Sequence, residues 1–380
     1  MAQGLGIYLH IPFCRQKCGY CDFASGPASE KDWDHYLTNL ATEIKLRGSF
    51  LHHPQISTVF FGGGTPSLMG PERLNYLLNL IQENFTVDPH SEVTFEVNPE
   101  TVDLADWKKY RQGGFNRASI GIQSLIDQEL ATCGRIHDAD QARKAVAEAS
   151  QAGFSRLSVD LMYGLPLQTL SSFEATLKEA ISFPIDHISV YGLRIEEGTP
   201  FDWLHSQGQL SVPDEAVEDA MYDFIQDFLP THGFSRYEIS NFARLGGESQ
   251  HNLKYWRYQP YLGLGAGACG FDGSCRINHP EDLAEYAKAI SQLSQKDFLP
   301  DECPPLLERQ AEFCFMGLRT LEGISRVEFQ KRFGVSLENA HGKSLQKGME
   351  QGWLKFDGER VYPTLEGLRF NNQLGMLFLP

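Results

Sequence analysis

The 380-residue chain is 42% apolar and 22% charged, the composition of an ordinary globular protein. Its 33 basic residues stand against 49 acidic ones, a net charge of −16, which argues against broad binding to a phosphate backbone. No apolar run reaches the roughly 18–20 residues of a membrane span, and Met1-Ala2-Gln3-Gly4 opens no signal peptide, so a cytoplasmic protein of two or three domains is expected.

Along the chain, extended apolar runs at 6–11, 57–61, 92–97, 117–122, 156–161 and 187–193 alternate with helical patterns. Residues 71–85 carry Leu74, Leu77, Leu78, Ile81 and Phe85 on one face. Residues 140–152 repeat Ala142, Val146 and Ala149, and 171–181 start from a Ser171 cap. Six strand–helix units in a row predict a parallel sheet with right-handed crossovers, an incomplete (β/α)6 barrel in preference to an open doubly wound sheet. Either architecture places function at the carboxyl ends of the strands.

Beyond residue 204 the pattern loosens. A helix at 215–228 and a strand-like run at 234–240 lead into a glycine- and aromatic-rich stretch at 251–271, then a helix near 282–293. Pro300, Pro304 and Pro305 mark a linker. Helices are expected at 306–318, at 326–333 between Ser325 and Gly334, and at 337–351, followed by a hairpin over 353–362 turning at Asp357-Gly358. Three helices and a hairpin read as a C-terminal winged-helix-like unit, and the acidic charge favours a packing role over DNA binding. The expected division is 1–205 for the partial barrel, 206–300 for its edge, and 301–380 for the C-terminal unit.

Three of the eight cysteines, Cys14, Cys18 and Cys21, follow the first strand at C-x3-C-x2-C spacing. A tetrahedral zinc site wants a fourth ligand, and none sits at finger spacing. Three thiolates on a four-iron cluster leave one iron open to the amino and carboxylate groups of a methionine-like cofactor. The remaining thiols Cys133, Cys269, Cys275 and Cys314 are expected to be plain, while Cys303-Pro304 is similar to the Cys-Pro dipeptide of heme-responsive proteins.

With Tyr20 before its last cysteine, the triplet resembles the signature of the radical-SAM superfamily. The loop Gly62-Gly63-Gly64-Thr65-Pro66 after the second strand resembles the one that holds the cofactor's methionine amino group there. The resemblance extends to the oxygen-independent coproporphyrinogen III oxidase group through Glu96-Val-Asn-Pro99, Gly121-Ile-Gln-Ser124, Gly134-Arg-Ile-His137, Asp160-Leu-Met-Tyr-Gly-Leu-Pro166 and Glu197-Gly-Thr-Pro200. It implies that Tyr8, Tyr20, Gly63, Gly64, Thr65 and Glu96 hold S-adenosylmethionine on a [4Fe–4S] cluster. Gln123, Arg135 and Asp160 match positions lining a second cofactor site.

Two departures matter. The oxidase continues to a fourth cysteine where this chain has Phe23, and it carries a long extension before the cluster, whereas only 13 residues precede Cys14. Both features, with His251-Asn252-Leu253-Lys254-Tyr255-Trp256, are similar to the HemW family of heme chaperones. That resemblance implies heme as ligand and respiratory heme proteins as recipients, with peripheral contact to membrane complexes open and no nucleic acid partner. His251, Asn252, Tyr255 and Trp256 become candidate heme residues, with Lys254 or Arg257 placed to meet a propionate. Coproporphyrinogen oxidation is the alternative, and a radical-SAM enzyme with another substrate a third; whether the chain is an enzyme stays open.

Overall fold

The computed structural model describes residues 4–294 and 303–380; residues 1–3 and the part of the expected linker containing Pro300 lie outside the described residues. The first half alternates β1 (Leu5–Ile11), α1 (Glu30–Phe50), β2 (Gln55–Gly63), α2 (Gly70–Asn84), β3 (Thr86–Val97), α3 (Leu104–Gly113), β4 (Arg117–Gln123), α4 (Asp127–Thr132), α5 (Ala139–Gln151), β5 (Arg156–Tyr163), α6 (Leu170–Ala180), β6 (His187–Gly192) and α7 (Pro200–Ser206). The six strands pair in sequence order, all parallel. Helix starts are fixed by side chains that accept the first free amides, as Asp103, Asp138 and Thr169 do. The cap of α6 is thus Thr169 rather than Ser171: its hydroxyl takes the Ser172 amide at 3.1 Å, and Ser171 lies inside the helix.

The middle stretch adds α8 (Glu215–Thr231), β7 (Ser235–Arg236), β8 (Asn241–Ala243), α9 (Gln250–Trp256), β9 (Tyr261–Leu264), β10 (Cys269–Phe271), β11 (Arg276–Asn278) and α10 (Leu283–Ser291). β8 pairs antiparallel with β6, and β9 pairs parallel with β1. The sheet therefore runs β11-β10-β9-β1-β2-β3-β4-β5-β6-β8-β7, and its edge strands do not meet. The barrel is incomplete, as expected. The glycine-rich loop after β9 leads to another strand and not to a helix. Gly265 is required there, because a Cβ would lie 2.2 Å from the Tyr36 hydroxyl.

Strand parity decides what faces where. Ile7, Leu9, Val59, Phe61, Val93, Phe95, Ile120, Val159 and Ile188 belong to the buried core against the helices. Each such side chain contributes about 1.5–3 kcal/mol of burial. Their neighbours of opposite parity, among them Tyr8, Thr58, Glu96, Ser119, Asp160 and His187, face the barrel interior. That interior combines polar groups with apolar ones such as Phe60, and it is where a ligand would be received. None of the described helices is long and apolar enough to cross a membrane.

The C-terminal unit runs α11 (Leu306–Gly317), β12 (Ile324–Ser325), α12 (Arg326–Phe333), α13 (Leu337–Glu350), β13 (Leu354–Phe356), β14 (Arg360–Pro363), α14 (Leu365–Arg369) and α15 (Asn371–Met376). The three helices and hairpin stand where the pattern predicts. β12 joins the hairpin in a β12-β14-β13 sheet; at two residues it is too short to show alternation.

This unit shares its core with the barrel edge: Tyr258, Tyr261 and Phe271 pack in one cluster with Phe313, Leu318, Phe329 and Leu374. Arg276 pairs with Glu312 at 2.5 Å and Arg257 with Glu322 at 2.5 Å across the joint. Cys275 and Cys303 form a disulfide with Cα atoms 5.1 Å apart, so neither is the free thiol the sequence suggests. Their spacing of 28 residues hides the pairing from sequence. A chain cut after Pro305 is expected to aggregate, because the cut bares Tyr258, Tyr261 and Phe271. Size-exclusion chromatography checks this; a monodisperse, cooperatively melting fragment would contradict the shared core.

Candidate functional site

A cavity of about 340 Å³ opens at the carboxyl ends of β1 to β6. The loop after β1 brings Cys14, Cys18, Tyr20 and Cys21 to one side of it. That loop is closed by the Cys14 amide on the Gly26 carbonyl (3.1 Å) and the Gly26 amide on the Pro12 carbonyl (3.1 Å). It is pinned further by the Gly19 amide on the Cys133 carbonyl (3.0 Å). Gly19 must lack a side chain, since a Cβ would meet the Phe201 ring at 2.3 Å. The three cysteines are free, and burial raises the pKa of Cys14 and Cys21.

Beside that loop, Gly63, Gly64 and Thr65 leave β2 in a tight turn. Gly63 has φ +118°, and a Cβ on Gly64 would lie 2.5 Å from the Phe13 carbonyl oxygen. The Thr65 amide donates to that same oxygen at 2.7 Å. The Gly63 amide donates to Glu96 Oε2 at 3.0 Å. Glu96 is pushed up to about 8, first by burial and then by the Asp160 charge, with the Gly63 amide opposing. Burial also raises Asp160, which accepts from the Ser119 hydroxyl at 3.0 Å. Two buried carboxyls, Asp160 offset in part by the Arg117 charge, form a site suited to a cationic or hydroxyl-rich ligand.

Gln123 lines the cavity at a register break between β4 and β5 and has φ +60°, a conformation that costs energy and clusters at functional sites. Arg135 does not reach an open carboxylate. Its Nη2 donates to Asn98 Oδ1 (2.9 Å) and the Gly121 carbonyl (2.7 Å), and its Nη1 stands 3.7 Å from Cys18 Sγ. The guanidinium thus brings positive charge to the cysteine loop. Tyr8 is the one residue of this set that does not line the cavity: its hydroxyl meets His10 Nδ1 at 2.9 Å. Asn98, Ser119, Met162 and Tyr191 also line it and were not singled out from sequence. Asn98 and Met162 lie two residues beyond Glu96 and Asp160, inside the motifs that carry the resemblance, and strand parity turns them to the same side.

Among the described residues no three such side chains converge on a single ion. Three free thiols spread along one wall beside a guanidinium suit a multi-iron cluster, whose corner irons each take one thiolate, better than one tetrahedral ion.

The His251 motif lies elsewhere. It forms α9, which enters the barrel from the opposite end and plugs it. His251 is 0% exposed. Its Nδ1 meets Thr58 Oγ1 at 2.9 Å and its Nε2 meets the Tyr255 hydroxyl at 2.8 Å. The ring stacks on Phe60 with centroids 5.2 Å apart. Burial lowers its pKa to about 3, so the imidazole is neutral. With both ring nitrogens engaged, an iron reaches His251 only if α9 leaves the barrel. Asn252 stands at the helix start, its amide on Ser249 Oγ, and Trp256 packs under Arg319, whose guanidinium is 4.5 Å from the ring centroid. Lys254 Nζ donates to the Gly4 carbonyl at 2.6 Å, and Arg257 is held by Glu322.

Glu96→Gln isolates the cost of the carboxyl pair. Glu96 keeps its proton in the folded chain up to about pH 8, but releases it near pH 4.3 when unfolded. Folding stability of the ligand-free chain therefore falls as pH rises across that window. The glutamine variant is expected to lose this pH dependence and to melt higher than wild type at pH 8. Thermal melts at pH 5 and 8 check it; parallel pH profiles would contradict it.

Residues 8–180 match the model of the Radical SAM superfamily, and residues 305–370 match that of the HemN C-terminal domain. The chain is 35% identical over 377 residues to a Bacillus subtilis protein named heme chaperone HemW, covering 98% of each. It is 34% identical over 389 residues to heme chaperone HemW of Escherichia coli, covering 99% of this chain and 98% of that one. Among solved structures it is similar to coproporphyrinogen III oxidase (HemN) from Escherichia coli, titled a radical SAM enzyme, with a TM-score of 0.83 at 21% identity over 99% of this chain and 90% of that one. This last likeness shows the fold.

Proposed function

Because the chain belongs to the HemW family of radical-SAM proteins, we propose that it binds heme and transfers it to heme proteins of respiration, on a scaffold carrying a [4Fe–4S] cluster and S-adenosylmethionine. The observation that carries this reading is the end-to-end correspondence with a named heme chaperone, over 98% of both chains. Cys14, Cys18 and Cys21 would each give the cluster one thiolate. When bound, the cluster supplies an open iron for the amino acid part of S-adenosylmethionine and a route for single electrons.

The chain's own residues prepare that site. The Glu96 carboxylate would pair with the cofactor's ammonium group, which restores the charge balance that burial disturbs. The turn at Gly63, Gly64 and Thr65 lets backbone approach closely. Asp160, fixed by Ser119, would take ribose hydroxyls, and Tyr20 and Gln123 would bound the space. Arg135 would balance the thiolate charge at Cys18. Tyr8 would act through His10. The four residues of the His251 motif would support heme handling by closing the barrel and seating the C-terminal unit. Recipients would be reached from the cytoplasm, with peripheral contact to membrane complexes.

The second reading, oxidative decarboxylation of coproporphyrinogen III, is favoured by the shared fold. Against it stands Phe23, 58% exposed, at the cavity mouth where the oxidase resemblance calls for a fourth cysteine. Cluster-reconstituted protein, given reductant, S-adenosylmethionine and coproporphyrinogen III without oxygen, is expected to form no protoporphyrinogen while taking up added heme. Turnover at roughly 1 per second or faster would contradict the proposal.

A further inference from the structure

We infer that Arg194 and Arg319 form a carboxylate clamp at the mouth of the cavity, on the side of Tyr191, and that they take the propionates of a porphyrin seated there. The inference rests on the heme-binding reading above and names the groups that recognise the ligand. The cations that the sequence offers for this task are occupied elsewhere: Lys254 holds the Gly4 carbonyl, and Arg257 is paired with Glu322.

The backbone brings the two arginines to one place. Arg194 lies just beyond the end of β6, and Tyr191 of that strand lines the cavity. The Val190 amide donates to the Ser240 carbonyl at 2.8 Å, so residues 238–240 run beside the same strand end. Glu238 in turn forms a bridge with Thr320, and the Leu321 amide donates to the Tyr237 carbonyl at 3.1 Å. Arg319, next in the chain to Thr320, thus arrives from the C-terminal unit at the carboxyl end of β6.

In this chain of net charge −16, Arg143, Arg257, Arg276 and Arg369 each pair with a carboxylate. Arg194 and Arg319 make no hydrogen bond or ion pair among the described residues. Arg319 is half-buried. Its guanidinium carbon lies 4.5 Å from the Trp256 ring centroid and 5.7 Å from that of Phe315, and its Nε is buried and unpartnered. Such a group is costly and calls for a ligand or a functional reason. Glu238 does not complete it: its Oε1 takes the Ser240 amide at 3.0 Å, and burial raises its pKa. Burial lowers the Arg319 pKa, Glu238 opposing and Arg194 adding to the fall, so the two guanidinium charges act on each other. A carboxylate between them relieves that repulsion, and a guanidinium stacked on a ring can still present its edge in a bidentate way. Phe23 and Tyr191, 58% and 40% exposed, give the mouth aromatic surface for a flat macrocycle.

Ferric heme and its dimethyl ester, in which both propionates are blocked, are titrated into the full chain. Wild type is expected to bind heme roughly tenfold more tightly than the diester, equivalent to about 1.4 kcal/mol. Arg319→Gln and Arg194→Gln should each lose most of that preference while binding the diester as wild type does. Arg194 is exposed and unpartnered, so its variant should melt as wild type does, and it carries the test if Arg319→Gln does not fold. Three results would overturn the clamp while leaving heme binding intact: equal affinity of wild type for heme and diester, wild-type heme affinity in either variant, or an equal loss for both ligands. No heme uptake by wild type would overturn the clamp and the heme-binding reading together.

Discussion

Cys18→Ala protein, purified and reconstituted without oxygen, is expected to carry essentially no stable iron, where wild type is expected to carry about four irons per chain. Cys18 is half-buried and free, on a loop held by backbone bonds from Cys14, Gly19 and Gly26 rather than by its own side chain. Its loss should therefore leave the fold standing and remove one of the three proposed ligands. It also leaves the Arg135 Nη1, now 3.7 Å from Cys18 Sγ, without a thiolate to balance. Cys133 is the control: buried, free and outside the cavity lining, with only its backbone carbonyl engaged by the loop. Cys133→Ala should keep the iron. Iron and sulfide analysis of the two variants checks the assignment, and full iron in Cys18→Ala would contradict it.

His251→Ala is expected to cost stability on the order of 3–5 kcal/mol. The substitution opens a cavity beside Phe60 and strands the hydroxyls of Thr58 and Tyr255 in the barrel interior. The loss should appear as a melting temperature lower by on the order of 10 °C, with His251→Gln losing less because an amide can keep one of the two bonds. In the fraction that remains folded, the heme spectrum should be that of wild type, since the ring faces the barrel interior. An unchanged melt with an altered heme spectrum would contradict this and return His251 to the role of iron ligand.

The cysteine loop was legible from its spacing after the first strand, and the glycine turn, Glu96 and Asp160 from the resemblance of the motifs that contain them; the regular series of strands then dictates that their ends converge. The His251 motif shows the limit. Its aromatic residues and imidazole have the composition of a heme site, but the partners that occupy them, Thr58 and Phe60, lie some 190 residues away on β2. Only the tertiary pairing distinguishes a ligand from a plug. The same holds for Cys275 and Cys303, whose pairing depends on the chain folding back along the barrel edge.

Direct heme transfer tests the account most closely. Heme-loaded protein is mixed without oxygen with a b-type apocytochrome in the presence of excess soluble heme scavenger, and the cytochrome spectrum is followed in time. The account predicts that the cytochrome fills faster than the scavenger captures heme from the loaded protein alone. Heme appearing only on the scavenger would mean simple release, and would contradict a delivery function.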